Sequence, residues 1–163
     1  LHGGGQERDI RSGTLNAAGI VSFVAASQSA IRDLTANAQK VESLRAKLIS
    51  AIQEQIPDAT LNGVMQGEVL PGIANISFPN TESDSLLVLF DAEGIACSTG
   101  SACSAGVQEA SHVLLAMGRT EKEARASLRF SLGTANTEAD IEYLRTCIKR
   151  VIERARAAYS VSQ

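Results

Sequence analysis

The chain is 163 residues long, with 44% apolar residues, 20% charged residues and a formal net charge of −3. That length fits one domain able to bury on the order of 70% of its unfolded surface, enough for a core without disulfide staples. The slight acidity gives no broad basic surface for nucleic acid, and no apolar run approaches the roughly 20 residues of a membrane span.

Three cysteines are an odd count, and none sits in a C-x-x-C pair. With no charged-then-apolar leader at the start, the thiols read as reduced and the compartment as cytoplasmic. The opening, Leu1-His-Gly-Gly-Gly-Gln-Glu-Arg8, has no initiating Met and begins inside what reads as an ordered loop, so the expectation is the C-terminal portion of something longer.

From Leu15 to about Ile56 the pattern is helical: no Pro interrupts it, and Val41, Leu44, Leu48 and Ile52 share one face. Gly19 and Asn37 are weak points, so one long helix or two abutting ones remain open. Pro57-Asp58 ends the run, and a short strand is expected near Ala59 to Asn62. Pro71-Gly72 introduces Ile73 to Phe78, where Ala74, Ile76 and Phe78 alternate with Asn75 and Ser77 in the period of a half-buried strand.

Thr81-x-x-Asp84 reads as a capping box before a helix of about three turns that carries Leu86, Leu87, Leu89 and Phe90 and stops at Gly94. Ile95 to Cys97 is short, apolar and counted as a strand. After a Ser/Gly-rich loop, Ser111 to Met117 is a brief helix, and Thr120-x-x-Glu123 caps another turn. Leu128, Phe130 and Leu132 alternate with Ser127, Arg129 and Ser131 in the clearest strand pattern of the chain. Thr137-x-x-Asp140 caps a final helix with Ile141, Leu144, Ile148, Val151, Ile152 and Ala155 in one stripe. The predicted fold class is an α/β (α+β) sandwich: a small mixed or antiparallel sheet covered by helices and preceded by a long N-terminal helix.

Cys103 lies in Ile95-Ala-Cys-Ser-Thr-Gly-Ser-Ala-Cys-Ser-Ala-Gly106, with six Ser, Thr or Gly residues between positions 98 and 106. Small hydroxylated neighbours favour access to a thiol. Alone, they leave open a nucleophile, an iron or zinc ligand and a bystander. The step from Cys97 to Cys103 lacks zinc spacing, and with only His2 and His112 a closed structural zinc site is not expected. Cys97 and Cys147 read as core, and His112 as a capping or core histidine. Arg129, flanked by Ser127 and Ser131, could grip a carboxylate through paired hydrogen bonds or be a solvated edge residue. Gly3-Gly4-Gly5 with Arg8, Arg11, Ser12, Gly13 and Thr14 could offer amides and a hydroxyl to an anion such as phosphate, or simply form a turn. Lys40, Lys47, Lys122 and Lys149 fall in helical, charged contexts unlike that of a desolvated Schiff-base amine.

Taken together, His2-Gly-Gly-Gly-Gln-Glu-Arg8 through Arg11-Ser-Gly-Thr14, Ser98-Thr-Gly-Ser-Ala-Cys103 and Leu128-Arg-Phe-Ser-Leu-Gly133 resemble, in that order, three motifs of the NifS/IscS-type cysteine desulfurases. These are class V aminotransferase-like, fold type I pyridoxal-phosphate enzymes. The Gly-Ser-Ala-Cys form resembles the group with the longer cysteine loop. Asp9 departs from the pattern, standing where the family commonly has Gly.

The resemblance implies that residues 1–16 are a loop of the large-domain cofactor pocket. It makes 17–163 the C-terminal small domain, with a long connecting helix and a catalytic cysteine loop at 97–106. It further implies that Cys103 takes sulfur from L-cysteine as a persulfide, that Arg129 binds the substrate carboxylate, and that Thr14 reaches the phosphate of pyridoxal 5'-phosphate in a homodimer. The cofactor lysine would lie upstream of Leu1, leaving the isolated chain inactive and the cofactor not covalently bound to it. The implied sulfur acceptor is a cluster scaffold or a tRNA-thiolation enzyme, for iron–sulfur cluster assembly or tRNA thiolation. Other readings are a cysteine sulfinate or selenocysteine lyase of the same family, and a non-enzymatic sulfur carrier.

Overall fold

A computed structural model of the chain describes residues 2–65, 67–99 and 110–161. The chain divides into two compact units, Leu1–Asn37 and Ala38–Gln163.

In the first unit a short 3-10 segment, Gln6–Asp9, leads to helix α1, Ala17–Arg32. Asn16 caps α1 by accepting the Gly19 N–H at 2.9 Å. Glu7, Arg8 and Asp9 all have positive φ, 51°, 55° and 62°. Gly adopts this left-handed region freely, and among other residues Asp is one that tolerates it. Asp9 therefore fits a backbone position that suits the family's usual Gly. No α1 residue is buried; Ile20, Val21, Phe23 and Val24 are all exposed.

Helix α2, Leu34–Gln55, follows after the single residue Asp33, so the predicted helical stretch is two abutting helices. The break falls at Asp33, not at Gly19 or Asn37, and there Arg32 and Ser29 both donate to the Asp33 carboxylate. Val41, Leu44, Leu48 and Ile52 are buried along one α2 face, as their spacing predicts.

In the second unit three strands, β1 (Thr60–Asn62), β2 (Ile73–Ser77) and β3 (Ser127–Ser131), form an antiparallel sheet in the order β1-β2-β3. Ala74, Ile76, Leu128 and Phe130 lie on its apolar face. They merge with the buried faces of α2, of α3 (Ser83–Ala92) and of α6 (Glu138–Val161) into one core. Phe90 of α3 meets Phe130 of β3 edge-on, with ring centroids 5.6 Å apart. Such a contact is worth about 1 kcal/mol beyond the area it buries. All six residues of the predicted α6 stripe are buried, each contributing roughly 1.5–3 kcal/mol if aliphatic and large.

Two short helices, α4 (His112–Ala116) and α5 (Glu121–Arg125), precede β3. The capping box at α5 forms as predicted: the Glu123 N–H donates to Thr120 Oγ1, and the Thr120 N–H donates to Glu123 Oε2. Two local expectations are corrected. Thr81 does not cap α3; its hydroxyl donates instead to the Phe78 carbonyl at 2.7 Å, bracing the turn that leaves β2, and the α3 N-cap is Glu82. Ile95 to Cys97 is not a strand. Among the described residues this stretch pairs at Ser98, in an isolated bridge to Arg129.

Candidate functional site

The sheet's second face is polar because β-strand side chains alternate: Asn62 from β1, Asn75 and Ser77 from β2, and Ser127, Arg129 and Ser131 from β3. The register places Asn62 opposite Asn75, and Asn75 opposite Arg129. On its far side Arg129 pairs with Ser98, its N–H donating to the Ser98 carbonyl at 2.7 Å and its carbonyl accepting the Ser98 N–H at 3.0 Å. One row thus runs Asn62, Asn75, Arg129, Ser98. Its last member is the chain entering the Ser/Gly-rich loop.

Arg129 is exposed, and among the described residues its guanidinium has no hydrogen-bond or ion-pair partner. This is unlike Arg45, which is 4% exposed and donates to three carbonyls: Nε to Ile73 at 2.6 Å, Nη1 to Met65 at 2.9 Å and Nη2 to Val64 at 3.0 Å. Arg45 is buried and pins the β1–β2 connection. Arg129, held by its two backbone bonds to Ser98, presents an open fork suited to a carboxylate.

Beneath the row lies a buried polar network. Ser127 Oγ donates to the Glu123 carbonyl at 2.6 Å, Ser77 Oγ lies 2.7 Å from Ser127 Oγ, and Asn62 Nδ2 reaches Ser77 Oγ at 2.8 Å, Ser127 Oγ at 3.2 Å and Asn75 Oδ1 at 2.7 Å. Asn62 Oδ1 is buried with no partner among the described residues, which costs on the order of 1–3 kcal/mol. By spacing alone Asn75 and Ser77 read only as the polar half of a strand. Nothing in their spacing shows that a buried amide ties them to β1.

The two described cysteines are core residues, as expected. Cys97 packs half-buried against the core, and burial, assisted by the Asp91 charge, pushes its thiol up to about 11. Cys147 is buried, and desolvation raises its thiol too. Both are protonated at neutral pH and poor nucleophiles. Cys103 lies outside the described residues. His112 is neither capping nor core: it is exposed at the start of α4, whose N-cap Ser111 makes no side-chain bond.

In the first unit the anion-binding reading of the Gly-rich loop is narrowed. The Gly13 N–H is taken by Gln6 Oε1 at 2.9 Å, and Arg11 Nη1 donates to the carbonyls of Gly13 at 2.9 Å and Thr14 at 3.3 Å. Arg11 therefore braces the turn from within. The Thr14 side chain is exposed, and its hydroxyl has no partner among the described residues, leaving a donor of the kind a phosphate oxygen accepts. The four lysines are all exposed: Lys40 donates to the Thr134 carbonyl at 2.6 Å, Lys47 pairs with Glu138 at 2.5 Å, and Lys122 lies 5.7 Å from the centre of the Tyr159 ring. None sits in the apolar pocket that a Schiff-base amine uses. Among the described residues there is no cluster of side chains able to hold a metal ion, and no helix is long and apolar enough to cross a membrane.

The chain is similar to known proteins along nearly its whole length. The Aminotransferase class-V family matches residues 3–144. An IscS-like cysteine desulfurase of Mycobacterium tuberculosis is 46% identical over 158 residues, 97% of this chain and 40% of that protein. The cysteine desulfurase IscS of Clostridium botulinum (strain Hall) is 41% identical over 157 residues, 96% and 40% of the respective lengths. Among solved structures, a NifS-like protein from Rickettsia africae superposes with a TM-score of 0.75 at 32% identity, covering 94% of this chain and 39% of that one. Another NifS-like protein gives 0.75 at 35%, covering 94% and 38%. The chain thus spans about 40% of the length of the curated relatives it matches. With its antiparallel sheet, its arginine strand bonded to the Ser98 segment and these relatives along nearly its whole length, the chain belongs to the class-V aminotransferase family, among its IscS- and NifS-like members.

Proposed function

We propose that this sequence is part of a pyridoxal 5'-phosphate-dependent cysteine desulfurase that converts L-cysteine to L-alanine and takes the sulfur as a persulfide on Cys103. The observation that carries this reading is the two-bond bridge between Ser98 and Arg129. It ties the start of the cysteine loop to the strand whose open guanidinium suits an amino-acid carboxylate. Cys103 stands five positions after Ser98, at most about 18 Å away along an extended chain. A thiol on that tether can approach a substrate gripped at Arg129 and also turn toward an acceptor.

Arg129 binds and orients the substrate through its α-carboxylate, and the double backbone bond to Ser98 fixes the strand from which it projects. Pyridoxal phosphate, when bound, supplies the electron sink that weakens the substrate's Cβ–Sγ bond. The Cys103 thiolate attacks the substrate sulfur. An S–S bond forms, the C–S bond breaks with its electron pair left on carbon, and a proton on that carbon completes the methyl group of alanine. L-cysteine and one thiol thus give L-alanine and one persulfide, with no external oxidant. Thr14 donates its hydroxyl to the cofactor phosphate held with the second subunit of a homodimer. In this reading residues 1–16 belong to the cofactor pocket of a large domain and 17–163 to the small domain. The persulfide passes to a cluster scaffold or a tRNA-thiolation enzyme in the cytoplasm.

In the full-length protein, L-cysteine should yield alanine and, with reductant, sulfide in equal amounts, and mass spectrometry should find one added sulfur on the peptide containing Cys103. Cys103→Ser should lower turnover at least a hundredfold, and Arg129→Ala should raise KM for L-cysteine by about two orders of magnitude. Full turnover by the Cys103→Ser protein would sink the reading. Preferential release of sulfite or selenide from the corresponding substrates would move it to the lyase alternative.

A further inference from the structure

We infer that Asn75 is a second substrate-reading residue, donating through Nδ2 to the same carboxylate that Arg129 grips; this rests on the desulfurase reading above. Phe78 N–H bonds to the Ala126 carbonyl and Leu132 N–H to the Gly72 carbonyl, so bonded β2–β3 pairs fall at alternate positions around Asn75. Arg129 spends its own N–H and carbonyl on Ser98. Asn75 and Arg129 therefore form a non-hydrogen-bonded pair, the kind in which Cα atoms approach to about 4.5 Å and side chains lie closest.

Proton accounting then fixes which end of the Asn75 amide is free. The Ser127 hydroxyl proton goes to the Glu123 carbonyl, so the proton between Ser77 Oγ and Ser127 Oγ comes from Ser77. Both hydroxyl protons are spent, and the Asn62 atom touching both oxygens must itself be a donor, Nδ2. The Asn75 atom 2.7 Å from that Nδ2 must then be an acceptor, Oδ1. Asn75 is left with Nδ2, two N–H donors without a partner among the described residues, directly across the sheet from an open guanidinium. Two adjacent donor groups, one charged and one neutral, with no acceptor between them are matched by a carboxylate. The buried, 8%-exposed Asn62 holds Asn75 in this orientation at the expense of its own unpartnered oxygen.

The test uses the full-length protein, with kcat and KM for L-cysteine and thermal melting measured for the unaltered enzyme, Asn75→Asp and Asn75→Ala. Asn75→Asp keeps the oxygen that Asn62 binds, so the sheet is preserved, but it sets a negative charge against the substrate and an ion-pair partner beside Arg129. KM should rise about a hundredfold with kcat within about twofold and the melting temperature nearly unchanged. Asn75→Ala should raise KM about tenfold, and inhibition by L-alanine should weaken in parallel in both variants. An unchanged KM in a folded Asn75→Asp protein, or a loss confined to kcat or to melting temperature, would overturn the inference while leaving the desulfurase reading standing. Absence of alanine formation by the unaltered enzyme would overturn both.

Discussion

Whether a thiol works or stays inert is decided at Cys97 and Cys147 by surroundings the chain brings together from distant segments. Cys97 precedes the bridge residue Ser98, yet burial and Asp91 hold its proton up to about 11. Iodoacetamide at pH 7.5 should therefore leave Cys97 and Cys147 unmodified in the native chain and label both once urea is added, as peptide mass spectrometry would record. The sign of the linked stability effect follows from the raised value. The neutral thiol favours the folded state fully below its ordinary value near 9, and that contribution is lost as pH rises through 11. Cys97→Ala should flatten this part of the stability profile measured by urea unfolding.

At the scale of the elements, a close approach at the start of β2 is as decisive as any apolar contact. A Cβ on Gly72 would lie 2.4 Å from the Leu132 carbonyl oxygen and 2.9 Å from Val41 Cγ1, and the same Gly72 accepts the Leu132 N–H at 2.7 Å. Gly72→Ala must push β3 or α2 away, at a cost of about 2–3 kcal/mol, visible as a lower urea midpoint at nearly constant m-value. Because Leu132 ends the strand bearing Arg129, the shift would also disturb the Asn75–Arg129 row. The α5 capping box is local by contrast, and its Glu123 also offers the backbone carbonyl that accepts the Ser127 hydroxyl beneath the row.

On the scale of the whole molecule, the two units differ in what they bury. The second unit closes a core from α2, α3, α6 and one sheet face, whereas α1 leaves Ile20, Val21, Phe23 and Val24 exposed. Large apolar side chains exposed together on one helix make a patch of the kind that marks an interaction surface. The exposed lysines carry the other molecular-scale consequence. Mixing this chain with pyridoxal phosphate, reducing with borohydride and mapping peptides should show only scattered, substoichiometric labelling; stoichiometric labelling of one lysine would contradict it.

The apolar positions of α6 and β3, the β2 alternation and the Thr120 cap were legible in the sequence because each rests on neighbours within a few residues, where period and propensity act directly. Arg129 was legible as a candidate for the same reason, being the charged member of an alternating strand. Its pairing with Ser98 on one side and Asn75 on the other was not, since Ser98 lies 31 positions away and Asn75 54, and only the register of the sheet brings them together. Likewise Thr81 reads as a helix cap in the sequence, but its hydroxyl donates to the Phe78 carbonyl, and no local pattern marks Arg45 as the side chain that bonds three carbonyls of a distant segment. Local pattern chose the elements and the kind of chemistry they can carry. Which polar groups end up partnered, and which are left open to a ligand, is a property of long-range hydrogen bonding that exists only in the folded sheet.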